Sequence, residues 1–253
     1  QAFKDADLRK KIIFTIVMVI AYRVGAQIPS PGVDYASIAG RLRQLTEQSG
    51  DLYSVINLFS GGALLQLSIF AIGIMPYITA SIIVQLLTVV IPRFEELKKE
   101  GQSGQAKMTQ YTRYLTLALA LLQSSGIVAL ADREQLLGQG VQVLAEDRNF
   151  FTLIVLVITM TSGAVLVMWM GELITEKGIG NGMSLLIFAG IATRLPTDGV
   201  SIMQNNGALV FAMVVAGLVV LVVGITFIEQ GQRRIPVQYA KRMVGRRQYG
   251  GSS

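Results

Sequence analysis

The chain has 253 residues, 52% hydrophobic and only 15% charged, with a mean hydropathy of +0.53; a soluble domain carries about 25% charged residues. No cysteine and no histidine are present, which excludes disulfides, thiolate chemistry, imidazole acid–base catalysis and zinc sites of the usual donor set. The composition is that of a polytopic membrane protein, and the net charge of +6 belongs on its loops and not on a nucleic-acid-binding domain.

The first apolar run predicts a span over about residues 12–28. It is long enough to cross, and no small-residue cleavage pattern ends it, so it reads as a helix and not as a signal peptide. Arg23 sits near its outer end, where snorkelling to the interface accounts for it. Pro29-Ser30-Pro31-Gly32 stops the run sharply. The next apolar stretch opens on LFSGG (Leu58 to Gly62) and runs from Ala63 to Pro92 without a charge, yet Gly73 and Pro76 interrupt it. A plain anchor has no use for such breaks. Discontinuous apolar segments occur where backbone lines a cavity or a path through the bilayer. The spanning part is expected over about 74–91, preceded by a short Gly-rich segment over about 55–70 that cannot span and could form a short amphipathic helix.

A flexible cytoplasmic turn is expected at Gly101 to Gly104, then a third span over about 114–130 and an acidic outside loop over 132–149. The fourth span covers about 150–170 and the sixth about 208–228. The fifth, about 183–195, is shorter than the roughly 17 residues a crossing helix needs, so neighbours or water must shield it. The glycines of EKGIGNGM (Glu176 to Met183) fit neither the Rossmann nor the Walker A pattern and read as a tight turn. With the N-terminus cytoplasmic, sixteen of the 22 Lys/Arg fall on inside segments, a clear positive-inside bias. Six of them, Arg233, Arg234, Lys241, Arg242, Arg246 and Arg247, lie in the basic segment after the last span, where anionic lipids are attracted by about 1 kcal/mol per residue.

Several ordered stretches resemble the SecY family of protein-conducting channels: NLFSGGAL (Asn57 to Leu64), IFAIGIMPYITASIIVQLLTVV (Ile69 to Val90), KKEGQSG, QYTRY (Gln110 to Tyr114), MWMGELITEKGIGNGMSLLIFAGI (Met168 to Ile191) and EQGQRRIPVQYAKR (Glu229 to Arg242). The resemblance implies an all-α polytopic fold of the SecY translocon type, its first half. That half comprises six spanning helices, one of them preceded by a plug half-helix. It divides the chain into residues 1–195, helices one to five, and 196–253, helix six with the start of a cytoplasmic loop. A full SecY has ten spans in two inverted halves, so this sequence reads as a fragment.

Site roles follow from the same resemblance. Ile74, Ile78 and Ile187 match a pore ring, an aliphatic gasket that dewets a constriction yet can move aside for a peptide. Spacing alone makes Ile74 and Ile78 one face of a helix, which is more often ordinary packing. Asn57, Phe59, Ser60, Gly61, Gly62, Ala63, Leu64 and Leu65 match the plug, with Gly73 and Pro76 as its hinge. Thr79, Ile82, Gln85 and Gln123 match the lateral gate; as polar groups in lipid, the glutamines serve equally as static interhelical hydrogen bonds. The basic segment matches a docking surface for the ribosome, through its RNA, or for the SecA motor. Other implied partners are the SecE and SecG subunits, signal sequences and nascent polypeptides, and the C-terminal half. The implied location is the bacterial cytoplasmic membrane. No cofactor, metal or enzymatic activity is expected, since no nucleophile–base constellation is present. The rival reading is half of a secondary transporter for a neutral solute. An ion-coupled carrier is disfavoured because the predicted spans hold no acidic residue.

Overall fold

The computed structural model describes residues 6–33, 63, 67–133, 144, 149–193, 195–231, 242–244 and 247–249. These form seven helices: α1 Ala6–Gly25, α2 Met75–Val90, α3 Pro92–Lys99, α4 Gln102–Asp132, α5 Phe150–Lys177, α6 Gly182–Ala192 and α7 Leu195–Glu229. Two three-residue antiparallel strands, β1 Arg242–Val244 and β2 Arg247–Tyr249, are the one departure from an all-α chain among the described residues. The chain separates into two units, residues 1–196 and residues 197–253.

Among the described residues, α4, α5 and the stretch Gly199–Glu229 of α7 are each long and apolar enough to cross a bilayer. The α2–α3 pair, bent by 100°, is long and apolar enough only when its two helices are taken together, as a broken span or a re-entrant loop whose apolar limb is α2. The other two expected spans differ in kind. α1 has 20 residues, about 30 Å of helix, but carries Arg9, Lys10, Lys11 and Arg23. α6 has only 11 residues and reaches about 16 Å, half a bilayer.

Local chemistry sets the boundaries. Gly73 takes φ +60°, a left-handed turn that glycine adopts without penalty. Pro76 follows in the first turn of α2, where its missing N–H is not needed. α2 stops where Ile91 turns extended ahead of Pro92, and Pro92 then opens α3. On exposed α3, the hydrogen bond from Lys99 holds the Glu95 carboxyl below its usual range. The expected flexible turn at Gly101 to Gly104 is instead a packed corner. Gly101 turns at φ +72°, α4 begins at once, and Gly104 lies buried against the Leu97 carbonyl. α4 therefore begins twelve residues before the expected Tyr114, at Gln102. Unit two holds most of α7, which is broken by Gly207 (φ 85°, ψ 165°), so its uninterrupted apolar rod starts at Ala208.

In unit one, α5 is the hub. It packs against α4, α6 and α1, and its buried face includes Leu156, Met160, Ala164, Val167 and Ile174. α4 presents Thr112, Thr116, Ala120, Ser124 and Val128 on one buried stripe, and α2 presents Pro76, Ala80, Val84 and Thr88. These are small side chains at a four-residue spacing, which lets helices approach closely where no hydrophobic effect drives them together. The segment Leu67 to Ile74 ahead of α2 is irregular, not helical. It is held by Ile69 N–H donating to the Ile28 carbonyl, at 3.0 Å, and Ser30 N–H donating to Leu67, at 3.0 Å. The Phe70 ring stacks on Tyr22 at 5.9 Å and lies against Gly25. The Ile69 carbonyl lies directly on Gly163 of α5, where a Cβ would collide with it.

Replacing Gly163 by valine is expected to displace this segment and destabilise the assembled protein by about 1–3 kcal/mol. Gly126→Ala, on an open face of α4, is expected to be neutral or slightly stabilising. The apparent melting temperatures of the two purified variants check the contrast.

Candidate functional site

An open cavity of about 540 Å³ lies in unit one. α2 contributes Tyr77, Ile78, Ser81 and Ile82; α4 contributes Thr109 and Arg113; α5 contributes Glu172, Thr175 and Glu176. The turn after α5 and the start of α6 contribute Asn181, Met183, Ser184 and Ile187. One wall is thus aliphatic and another is polar and charged.

The aliphatic wall carries two of the three pore-ring residues. Ile78 and Ile187 both line the cavity and pack against a buried cluster containing Phe70, Ile74, Val167 and Leu186. Ile74, the third, is buried within that cluster at the N-cap of α2 and does not line the cavity. Ile82, assigned to the lateral gate, lines the same cavity as Ile78, four residues further along α2. Thr79, Gln85 and Gln123 do not line it. Thr79 donates its hydroxyl to the Met75 carbonyl of its own helix at 3.0 Å, and Gln85 is exposed while Gln123 is half-buried. Gly73 and Pro76 are both buried where α2 begins.

Of the plug residues only Ala63 is described. It is buried, and its carbonyl accepts the Ser68 N–H at 3.0 Å. Asn57, Phe59, Ser60, Gly61, Gly62, Leu64 and Leu65 lie outside the described residues. In the same region Leu67 to Phe70 form turns, not the amphipathic helix the sequence suggested. Arg233, Arg234, Lys241 and Arg246 also lie outside the described residues; Arg242 and Arg247 fall on β1 and β2, where Arg242 pairs with Tyr249 and Val244 with Arg247.

The polar wall contains what sequence reasoning missed. The Arg113 guanidinium donates to both carboxylate oxygens of Glu172, from Nε at 2.9 Å and from Nη2 at 2.8 Å. Two parallel charge-assisted bonds of this kind fix orientation as well as distance. The Glu172 side chain is only 18% exposed. Both residues stand in stretches singled out above, QYTRY and GELIT, but 59 positions separate them, and no local spacing could have paired them. Around the turn after α5, Asn181 Oδ1 accepts the N–H groups of Met183 and Ser184 and caps α6. The Thr175 hydroxyl accepts the Gly182 N–H at 2.9 Å. Thr15 of α1 accepts the Ile179 N–H at 3.2 Å, so the turn that presents Ile187 is held from three sides. Among the described residues no cluster of His, Cys, Asp and Glu could hold a metal ion.

The short and broken apolar helices surround an open, half-aliphatic cavity, an arrangement found where backbone lines a cavity at membrane depth. The chain belongs to the SecY family, whose model matches residues 68–253. The protein translocase subunit SecY of Corynebacterium glutamicum is 83% identical over 253 residues, covering all of this chain and 58% of that one. The chain thus spans little more than half the length of the curated relatives it matches. Two solved structures share its fold at low identity. One concerns the plug domain of the SecY protein, which stabilises the closed state of the translocation channel (TM-score 0.57, 17% identity, 97% of this chain and 52% of that one). The other is Sec61 in the canine ribosome-channel complex from the endoplasmic reticulum (TM-score 0.56, 15% identity, 90% and 49%). Similarity at that identity establishes the fold alone: an all-α polytopic bundle corresponding to about half a translocon.

Removing the α6 cap by Asn181→Ala is expected to cost about 1 kcal/mol, and Asn181→Asp a few tenths at most. The order of the two apparent melting temperatures checks it.

Proposed function

We propose that this chain supplies the N-terminal half of a protein-conducting channel, through which unfolded polypeptide leaves the cytoplasm and apolar helices pass sideways into lipid. The observation that carries the reading is the convergence of Ile78 from α2 and Ile187 from α6 on one cavity. Branched aliphatic side chains there repel water and ions yet make no bond that would hold a passing chain. Ile74, buried one turn below Ile78, backs this constriction. The second half would complete the ring.

In this reading the segment 55–70 is the plug, with Asn57, Phe59, Ser60, Gly61, Gly62, Ala63, Leu64 and Leu65 at its centre, and Gly73 and Pro76 form the joint to α2. Thr79, Ile82, Gln85 and Gln123 belong to the lateral gate that meets signal sequences; Ile82 serves both gate and cavity. Arg233, Arg234, Lys241, Arg242, Arg246 and Arg247 dock the ribosome or the SecA motor on the cytoplasmic side, and SecE and SecG complete the assembly. The positive-inside distribution supports a cytoplasmic N-terminus, and in this reading the membrane is the bacterial cytoplasmic one. The channel itself supplies no chemical energy; the motor or the elongating ribosome does.

In the intact complex, a photo-crosslinker in place of Ile78 is expected to capture a stalled secretory chain; an actively translocating complex that yields no adduct overturns the pore assignment. Neutralising the six basic residues to Gln is expected to weaken ribosome binding and flatten its dependence on salt, because fewer phosphate charges are matched. Titration with ribosomes at several ionic strengths measures both.

A further inference from the structure

The cavity is bordered by two blocks of helices. α2 packs on α4 and α3, whereas α1 packs on α5 and α6. The seam between α4 and α5 is the broadest helix–helix contact between the blocks, alongside the buried cluster on which Tyr77 and Ile78 of α2 meet Val167 and Leu186. Along it stand two polar contacts between side chains. Ser124 and Thr161 bring their hydroxyl oxygens to 2.9 Å, both buried. Arg113 and Glu172 form the bidentate ion pair. Arg113 to Ser124 and Thr161 to Glu172 are both eleven residues, so the two contacts share one antiparallel register, about 16 Å apart along the seam.

The two contacts are unequal. Each hydroxyl has a single proton, and each has a carbonyl of its own helix within reach, Leu121 for Ser124 and Val157 for Thr161, so whichever donates across the seam can turn back to its own helix without leaving a polar group stranded. The Glu172 carboxylate has no such substitute: Arg113 is the basic partner the structure gives it, and it is largely withdrawn from solvent. Separation at that point costs the carboxylate both of its charge-assisted bonds at once. This ion pair joins residues 59 positions apart, whereas Glu95–Lys99 and Glu100–Lys107 join residues only four and seven apart.

We infer that Arg113 and Glu172 are a positioning pair that pins the α4–α5 seam at the edge of the cavity and so sets the separation of the walls carrying Ile78 and Ile187. The two residues act through helix placement and make no contact with a transported chain that this role requires. The seam turns about its pinned end: the Ser124–Thr161 contact tolerates movement and the ion pair does not. The inference deepens the channel reading and rests on it only for its consequence in transport, not for the pin itself.

The chain has no native cysteine, so Ser81→Cys on α2 and Ser184→Cys on α6, both lining the cavity, take spin labels at unique positions in this chain. The measurement is the distance distribution between them in the intact, purified complex. Arg113→Ala and Glu172→Ala are expected to broaden it and move it outward by on the order of 2 Å, the scale of helix shifts at a switching interface. Arg113→Lys keeps the charge but loses the second bond, and is expected to give an intermediate width. The exchanged pair, Arg113→Glu with Glu172→Arg, is expected to restore the native distribution; a general packing defect would not be repaired by a second charge reversal. Unchanged distributions in both alanine variants, or an exchanged pair as broad as the singles, overturn the pin. If the distances respond as expected while translocation by the same complexes stays at the native rate, the pin stands and the channel reading of this cavity fails. If either alanine variant does not assemble, the Lys variant and the exchanged pair decide alone by the same criterion.

Discussion

Irregular backbone can lie at membrane depth only where protein covers its polar groups, and in this chain the cover is α5. Gly163 removes the one side chain that would hold the Ile69 carbonyl away from that helix. With that carbonyl seated, Phe70 reaches the Tyr22 ring and the face of Gly25, and Ile69 N–H reaches Ile28. The segment then ends in the left-handed turn at Gly73, and α2 starts beside the site of burial. The position of Ile78 in the cavity is a consequence of that single close approach.

The polar groups of the bundle obey the same constraint in miniature. Thr79, Thr112, Thr116, Thr159, Thr161 and Thr175 each donate to the carbonyl four residues back. A hydroxyl satisfied within its own helix costs little wherever the helix goes, so threonine can sit on a buried stripe, beside a cavity or towards lipid. Glu172 has no such local remedy. That difference makes its partner a long-range requirement, whereas the threonine hydroxyls need none.

Much of the architecture was legible because charge is scarce. The uncharged runs marked α2, α5 and the rod of α7, and the deficit in length of α6 was visible from residues 183–195. The start of α4 was not visible. Its first twelve residues, from Gln102 to Arg113, are polar, and what makes them helical is packing of Gly104 and the Phe94–Tyr111 ring contact against α3. The same tertiary contacts turned an expected flexible loop into a corner. At the site, Ile78 and Ile187 were reached through resemblance. Periodicity alone could not tell a cavity-lining isoleucine from a packed one, and for Ile74 packing is what the structure contains. Arg113 and Glu172 were individually visible in their motifs, but nothing local joins residues 59 positions apart.

α6 carries a further consequence, an electrical one. Its 11 residues cover about half of the hydrocarbon thickness, and its first turns, from Asn181 to Ile187, border the open cavity. Where water follows the cavity along α6, the insulating layer is thinned to about the remaining half. A membrane voltage then falls over about half its usual distance, and the local field is about twice that across intact bilayer. A charge crossing that remaining layer would feel most of the 2.3 kcal/mol per 100 mV available to it over about half the usual distance. A helix too short to span thus thins the insulating layer wherever water fills the cavity beside it.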